Sequence, residues 1–181
     1  MFSILFSQNI CAQSTNKDLN GKILIVLHMQ EDSVDSPLSK AELEAISNMN
    51  KVIEQVPVEN VVYVKANHKV LNLTLKKIYV SNNINDLNNE LNIVNNNIFV
   101  DEGYDAFKSE ELKDFIEKSA MDKLIIIGRS AEECLKKSAI SGLKKGYEVY
   151  IIPNAIIGHT PEGKLKAFSK LKDKGVKELI L

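Results

Sequence analysis

The sequence has no tryptophan, and aromatic residues make up only 6% of it, which leaves little material for an aromatic stacking surface. It has no excess of one charge. Lys and Arg number 23 against 24 Asp and Glu, for a formal net charge of -1. A nucleic-acid or polyanion binder normally shows a basic surplus, so neither is expected as a partner. Cysteine is scarce. Cys11 and Cys134 are the only two, too few for a disulfide framework or a cysteine-rich zinc site. No segment approaches the about 18 uninterrupted apolar residues of a membrane span, so the mature chain is expected to have no membrane contact. Several phosphate and nucleophile signatures are also missing. No Gly-x-Gly-x-x-Gly follows a strand, no Gly-Lys-Ser/Thr loop occurs, and there is no Gly-x-Ser-x-Gly elbow. Neutral-pH chemistry must come from two cysteines and three histidines, His28, His68 and His159.

The chain is 181 residues long and 44% hydrophobic. That suits one domain with a proper core and is short for two. Residues 1–13 carry an apolar stretch, Phe2 to Phe6, and a small residue, Ala12, at a cleavage-like position. They read as a truncated signal peptide that lacks its basic leading region. On that reading the protein is exported, to the periplasm or outside the cell. Without it, the protein is cytoplasmic. The folded domain is expected over residues 20–181.

Continuous apolar runs mark strands buried on both faces: Lys22–Leu27, Val58–Val64, Ile98–Val100, Lys123–Ile127 and Tyr147–Ile152. Lys77–Val80 reads as a short further strand and Val176–Leu181 as a last one. Helical spacing appears over Ser39–Gln55, Ser109–Ser119 and Pro161–Lys174. Ser130 and Glu133 form the sequence pattern of a capping box, opening a helix to Lys145. Ser81–Asn97 has nine Asn in seventeen residues. Ile84, Leu87, Leu91 and Val94 recur there at helical spacing, which predicts a short amphipathic helix. The alternation of strands and helices predicts a single-domain α/β fold, with a mainly parallel sheet and helices on both faces. Ligands of such sheets bind outside the carboxyl ends of the strands. His28, Asp101 and the turn from Gly128 to Cys134 all fall at such ends.

At these positions the sequence resembles the isochorismatase-like cysteine hydrolases, which include nicotinamidases and other amidases. Ile25-Val-Leu-His-Met-Gln-Glu-Asp32 resembles the family's apolar strand followed by Asp-Met-Gln-x-Asp. Val61-Val-Tyr-Val-Lys-Ala-Asn-His68 resembles a strand ending in Arg-Asp-x-His. Tyr104-Asp-Ala-Phe107 resembles the family's Ser-Ala-Phe segment. Leu124-Ile-Ile-Ile-Gly128, Cys134, Ser138-Ala139, Gly146-Tyr147 and Asn154-Ala155 follow at the family's spacing. The resemblance covers about residues 20–160.

It implies a three-layer α/β/α fold, a homo-oligomer and a small-molecule substrate. It also implies hydrolysis of an amide or ester bond through Cys134. The family's catalytic set is an Asp after the first strand, a Lys before Ser-Ala-Phe, and the Cys. Here His28 stands for the Asp and Asp101 for the Lys. The family's oxyanion hole uses backbone N–H groups, here of Ser130 and Cys134, beside a cis peptide that would fall at Arg129–Ser130. Gln30, His68 and Phe107 are expected to line the pocket. The nicotinamidase metal site lacks its Asp, replaced by Ala66, so no metal and no cofactor are expected.

Two readings of the altered set stay open. In one, His28 deprotonates Cys134 while Asp101 orients the imidazole. Asp101 helps only by bonding to His28, at about 3 Å. In the other, the chain is a non-catalytic member that binds a small ligand or serves as an oligomeric structural protein, and Cys134 is an inert buried side chain.

Overall fold

A computed structural model describes residues 18–31, 37–73 and 78–180; at 68–73, 78–81 and 83 it describes the backbone alone. The expected leader, Cys11 and Asp32 lie outside the described residues.

The runs Ile23–Leu27 and Lys123–Arg129 form strands β1 and β6 at the centre of the sheet. Every side chain of β1 is buried, as are Leu124 to Ile127 of β6. Such runs cannot alternate between core and solvent, so they demand cover on both faces. Each Leu, Ile or Val contributes about 1.5–3 kcal/mol through that burial. Strands β2 (Val61–Ala66), β5 (Ile98–Asp101), β7 (Glu148–Ile157) and β8 (Lys177–Glu178) complete a six-stranded sheet in the order β5-β2-β1-β6-β7-β8. All its pairings are parallel. Helices α1 (Lys40–Gln55), α2 (Glu110–Ser119), α3 (Lys136–Lys144) and α4 (Pro161–Asp173) connect the strands. Chain direction across the sheet reverses at β1. Right-handed crossovers then place α1 on one face and α2, α3 and α4 on the other. The reversal opens a crevice between the ends of β1 and β6, where ligands of open α/β sheets bind.

The α/β sheet follows the sequence reading, with four local differences. Strand β7 runs past Ile152 to Ile157, and its pairing with β6 breaks between Ile151 and Ile156. Pro153 lies in that break and has no N–H for the ladder. The last strand shrinks to two residues. Of the expected Lys77–Val80 strand, Lys77 lies outside the described residues, and Ile78–Val80 belong to β4 (Ile78–Asn83), which pairs antiparallel with β3 (His68–Leu73) in a separate two-stranded sheet.

The fourth difference is the Asn-rich segment, which forms no helix beyond β4. Its asparagines bind backbone instead. Glu90 N–H donates to Asn88 Oδ1 at 2.9 Å, and Asn97 N–H to Asn95 Oδ1 at 2.8 Å. The Asn95 amide donates to the carbonyls of Val58 and Val61. Such bonds offer the chain a local alternative to helix. Leu87 and Leu91 are buried as anchors of a loop, while Ile84 faces solvent.

Candidate active site

The ends of β1, β5 and β6 supply the site. At the end of β1, His28 donates its backbone N–H to Val64 O at 2.8 Å, which holds it against β2. Its φ is +52°. Next to it, Gly128 of β6 has φ +122°, and a Cβ there would overlap the Leu27 carbonyl oxygen. Glycine at this position therefore lets β6 approach the turn that carries His28.

Asp101 ends β5 and has no exposed surface. Strand β2 lies between β5 and β1. His28 reaches across the end of β2, whose last residue, Ala66, pairs in register with Asp101. His28 Nε2 lies 2.8 Å from Asp101 Oδ2. The contact that the sequence reading required is present.

Cys134 lines the same cavity as His28 and is close enough to the imidazole to act on its protonation. It is buried and has no disulfide. It sits in a π-helical turn, Ala131–Leu135, ahead of α3. In an α-helix the Cys134 N–H would donate to the Ser130 carbonyl. That carbonyl accepts instead from Glu133 and Leu135, at 3.1 and 3.2 Å, the residues on either side of Cys134. The turn thus presents the nucleophile position on irregular backbone, as π-bulges often do at functional sites.

Burial alone would drive His28 toward the neutral form, because it strips water from a charged ring. The hydrogen bond that the ring donates to Asp101, the nearby Cys134, and the Coulomb attraction of both outweigh that effect and raise its pKa from 6.5 to about 9. At neutral pH a ring with that pKa is an imidazolium bonded to Asp101.

Ser130 does not cap the helix. Its φ and ψ are +64° and +60°, and its side chain makes no capping bond. The expected capping box is absent because this left-handed residue turns the chain into the π turn. Glu132 instead accepts from the backbone N–H groups of His159, at 3.0 Å, and Thr160, at 3.3 Å. The Arg129–Ser130 peptide is trans, as are all described peptide bonds, so the expected cis bond is corrected. Four described non-glycine residues have positive φ: His28, Tyr104, Ala120 and Ser130. Ala120 caps α2. The other three line one cavity, and strained backbone tends to gather at functional sites.

That cavity is about 1350 Å³ and is walled by His28, Cys134 and Ser130, with residues from α1 and from the loop before α4. Gln30 also reaches it, as a clamp. Its amide accepts from Ala66 N–H at 2.6 Å and donates to the carbonyls of Ala66 and Asn85 at 3.1 and 3.2 Å. Phe107, expected at the wall, is buried elsewhere and stacks on Tyr147 with ring centroids 5.9 Å apart. Ser138 explains its placement, because its hydroxyl accepts from Ala106 N–H at 3.0 Å and draws that turn onto α3. His68 opens β3, where the structure gives backbone only. Sequence reasoning missed Tyr104, Asn67 and Arg129 at the wall. Of these, only the Gly103–Tyr104 step carried a turn signal.

Residues 22–179 match the Isochorismatase domain. The chain belongs to the isochorismatase family. No curated protein matches it. Solved structures of the same fold include a pyrazinamidase of Pyrococcus horikoshii in complex with zinc, 20% identical, with a TM-score of 0.66 over 89% of this chain and 99% of that one. PnC1 of L. infantum, in complex with nicotinate, is 17% identical, with a TM-score of 0.68 over 88% and 94%. The YcaC product of Escherichia coli, an octameric hydrolase of unknown specificity, is 14% identical, with a TM-score of 0.64 over 88% and 74%. In this isochorismatase-family chain, β2 ends in Ala66, which has no ligating atom. Among the described residues no three His, Cys, Asp or Glu side chains are grouped to hold a metal ion.

Proposed function

We propose that this isochorismatase-family protein hydrolyses a small amide or ester through Cys134, with His28 as its proton partner and Asp101 as the group that orients His28. One observation carries the reading. The two positions that depart from the family's Asp and Lys are in direct contact, at 2.8 Å, and Cys134 lines the same cavity as that imidazole. A lone replacement would leave a buried charge unmatched, whereas these two compensate each other.

The family's lysine position no longer supplies a cation beside the sulfur. The imidazolium supplies it instead, held charged by Asp101. With Nε2 bonded to Asp101, the imidazole exchanges the proton with Cys134. Attack of the sulfur on the substrate carbonyl forms an acyl-enzyme and a tetrahedral oxyanion on the way. In this reading the backbone N–H groups of Ser130 and Cys134 receive that oxyanion. His28 then protonates the leaving amine or alcohol, and water releases the acid. The protein acts as a homo-oligomer, as the octameric relative does, which light scattering would test.

Intact-protein mass spectrometry with activated acetyl and aminoacyl esters tests the chemistry. An acyl adduct on Cys134 is expected that forms at least tenfold more slowly in His28→Gln and is absent in Cys134→Ala. No adduct, or equal rates in His28→Gln, contradicts the reading and favours a ligand-binding, non-catalytic member.

A further inference from the structure

Glu132 sits two residues before Cys134 in the same π turn, and no step above uses it. It stands behind the cavity wall: Ser130, Glu133 and Cys134 line the cavity, and Glu132 does not. Its carboxylate is held by the loop before α4. Both oxygens accept from His159 N–H at 3.0 Å, and Oε1 also accepts from Thr160 N–H at 3.3 Å. Thr160 caps α4, its hydroxyl accepting from Gly163 N–H at 3.0 Å. A carboxylate there meets the positive end of that helix. Burial would push the Glu132 pKa up. The N–H groups of His159, of Glu132 itself and of Thr160, with the Coulomb attraction of His159, hold it below the ordinary carboxylate value.

Two glycines leave the space that this carboxylate fills. A Cβ on Gly163 would lie 2.6 Å from Glu132 Oε1, and one on Gly158 would lie 3.0 Å from it. Gly163 is inside α4, where alanine would be the better helix former. Glycine there serves the carboxylate, not the helix.

The anchor acts on the turn that carries Cys134. A regular α-helix would spend the Cys134 N–H on the Ser130 carbonyl. That carbonyl accepts from Glu133 and Leu135 and passes over Cys134. A π turn is the rarer arrangement, so it needs support from outside its own hydrogen bonds. Glu132 is its second residue and is bound to a separate element. His159 and Thr160 themselves line the cavity, so the same contact joins the Cys134 turn to the wall beside it.

We propose that Glu132 is a positioning residue for Cys134: bound at the start of α4, it holds the π turn that withholds the Cys134 N–H from Ser130 and leaves it for the substrate's oxyanion. This deepens the reading of Cys134 as nucleophile and rests on it.

Two reactions of the Cys134 sulfur test this, in the full chain carrying Cys11→Ser, where Cys134 is the one thiol. 4-Nitrophenyl acetate acylates it: the thiolate attacks the carbonyl through an oxyanion, a thioester forms and nitrophenolate leaves. Iodoacetamide alkylates it: a thioether forms and iodide leaves, with no oxyanion. In Glu132→Ala the ratio of acylation rate to alkylation rate is expected to fall roughly tenfold or more. Glu132→Gln keeps an oxygen for the two N–H groups and should recover roughly threefold of that loss. Glu162→Gln, exposed in the first turn of α4, should leave the ratio unchanged. Gly163→Ala should lower the ratio by displacing the carboxylate, although α4 gains helix propensity, and should add nothing in Glu132→Ala. A merely structural role slows both reactions alike and leaves the ratio where it was. Crystal structures give the second readout: in Glu132→Ala the Cys134 N–H should move onto the Ser130 carbonyl, as in a regular helix. An unchanged ratio, or an unchanged π turn, in Glu132→Ala overturns the proposal. Should that variant not fold, Gly163→Ala decides by the same ratio. Wild-type protein that forms no acyl adduct would sink the hydrolase reading alone, because the turn in Glu132→Ala still decides what Glu132 holds. Acylation with the ratio untouched would sink this proposal alone.

Discussion

His28 and Asp101 are 73 residues apart in the chain and sit on strands that are not neighbours, yet their side chains meet at 2.8 Å. Asp101 has no exposed surface, and His28 is buried. A carboxylate in that setting needs a charged partner, because desolvation otherwise disfavours its ionised form. The pair therefore links the stability of the fold to the protonation of the site.

The first prediction follows from linkage. His28 has a folded pKa of about 9, above its ordinary value of 6.5. Its protonation stabilises the fold fully below pH about 6.5, and that stability is lost as pH rises through about 9. The shift corresponds to about 3 kcal/mol. Urea midpoints should fall between pH 6 and pH 9.5 in the wild type. His28→Gln should lack most of that decline. Parallel curves for the two proteins would contradict the linkage.

Asp101→Asn keeps the shape of the pair and removes one charge. The imidazolium then loses the buried carboxylate it is bonded to. Breaking a buried pair from one side destabilises by about 3–5 kcal/mol. The loss should be large at pH 6, where the ring is charged in the wild type, and smaller at pH 9.5. Equal losses at the two pH values would place the effect in packing rather than charge.

Gly128→Ala tests the close approach of β6 to β1. A methyl group there would overlap the Leu27 carbonyl oxygen and sit at φ +122°. Strain and clash together should destabilise by about 3 kcal/mol or more. A thermal midpoint within a degree or two of the wild type would show that the strands separate easily at this point.

The Asn-rich loop makes a graded prediction. Asn95 ties the loop to the start of β2 through Val58 and Val61, and it also accepts from Asn97 N–H. Asn95→Ala should destabilise by about 1–3 kcal/mol through unsatisfied partners. Asn89→Ala, at an exposed turn, should stay within about 0.5 kcal/mol. Equal effects would make the asparagines mere composition.

The sheet was legible because its strands are runs of Ile, Leu and Val that cannot be half-buried. Ser39 with Glu42 forms a full capping box on α1, and the spacing was there to be seen. The same spacing at Ser130 and Glu133 misled, because the backbone is left-handed at Ser130 and Glu132 turns to the loop before α4. Helical spacing also misled over 81–97, where asparagine side chains compete for the backbone. Chain position placed His28, Asp101 and Cys134 at strand ends. Whether His28 and Asp101 touch depends on the strand order that puts β2 between β1 and β5, which spacing does not encode. Positive φ at His28, Tyr104 and Ser130 has no signature in residue type either, since none is glycine.

The central claim is that His28 is an imidazolium held by Asp101 and Cys134. Its most direct test is a proton–carbon NMR titration of the His28 Cε1–H signal from pH 5 to pH 10.5, assigned by its absence in His28→Gln. The midpoint should lie near 9, and it should fall in Asp101→Asn and in Cys134→Ser. A midpoint at or below 6.5, unmoved by either substitution, would contradict the account.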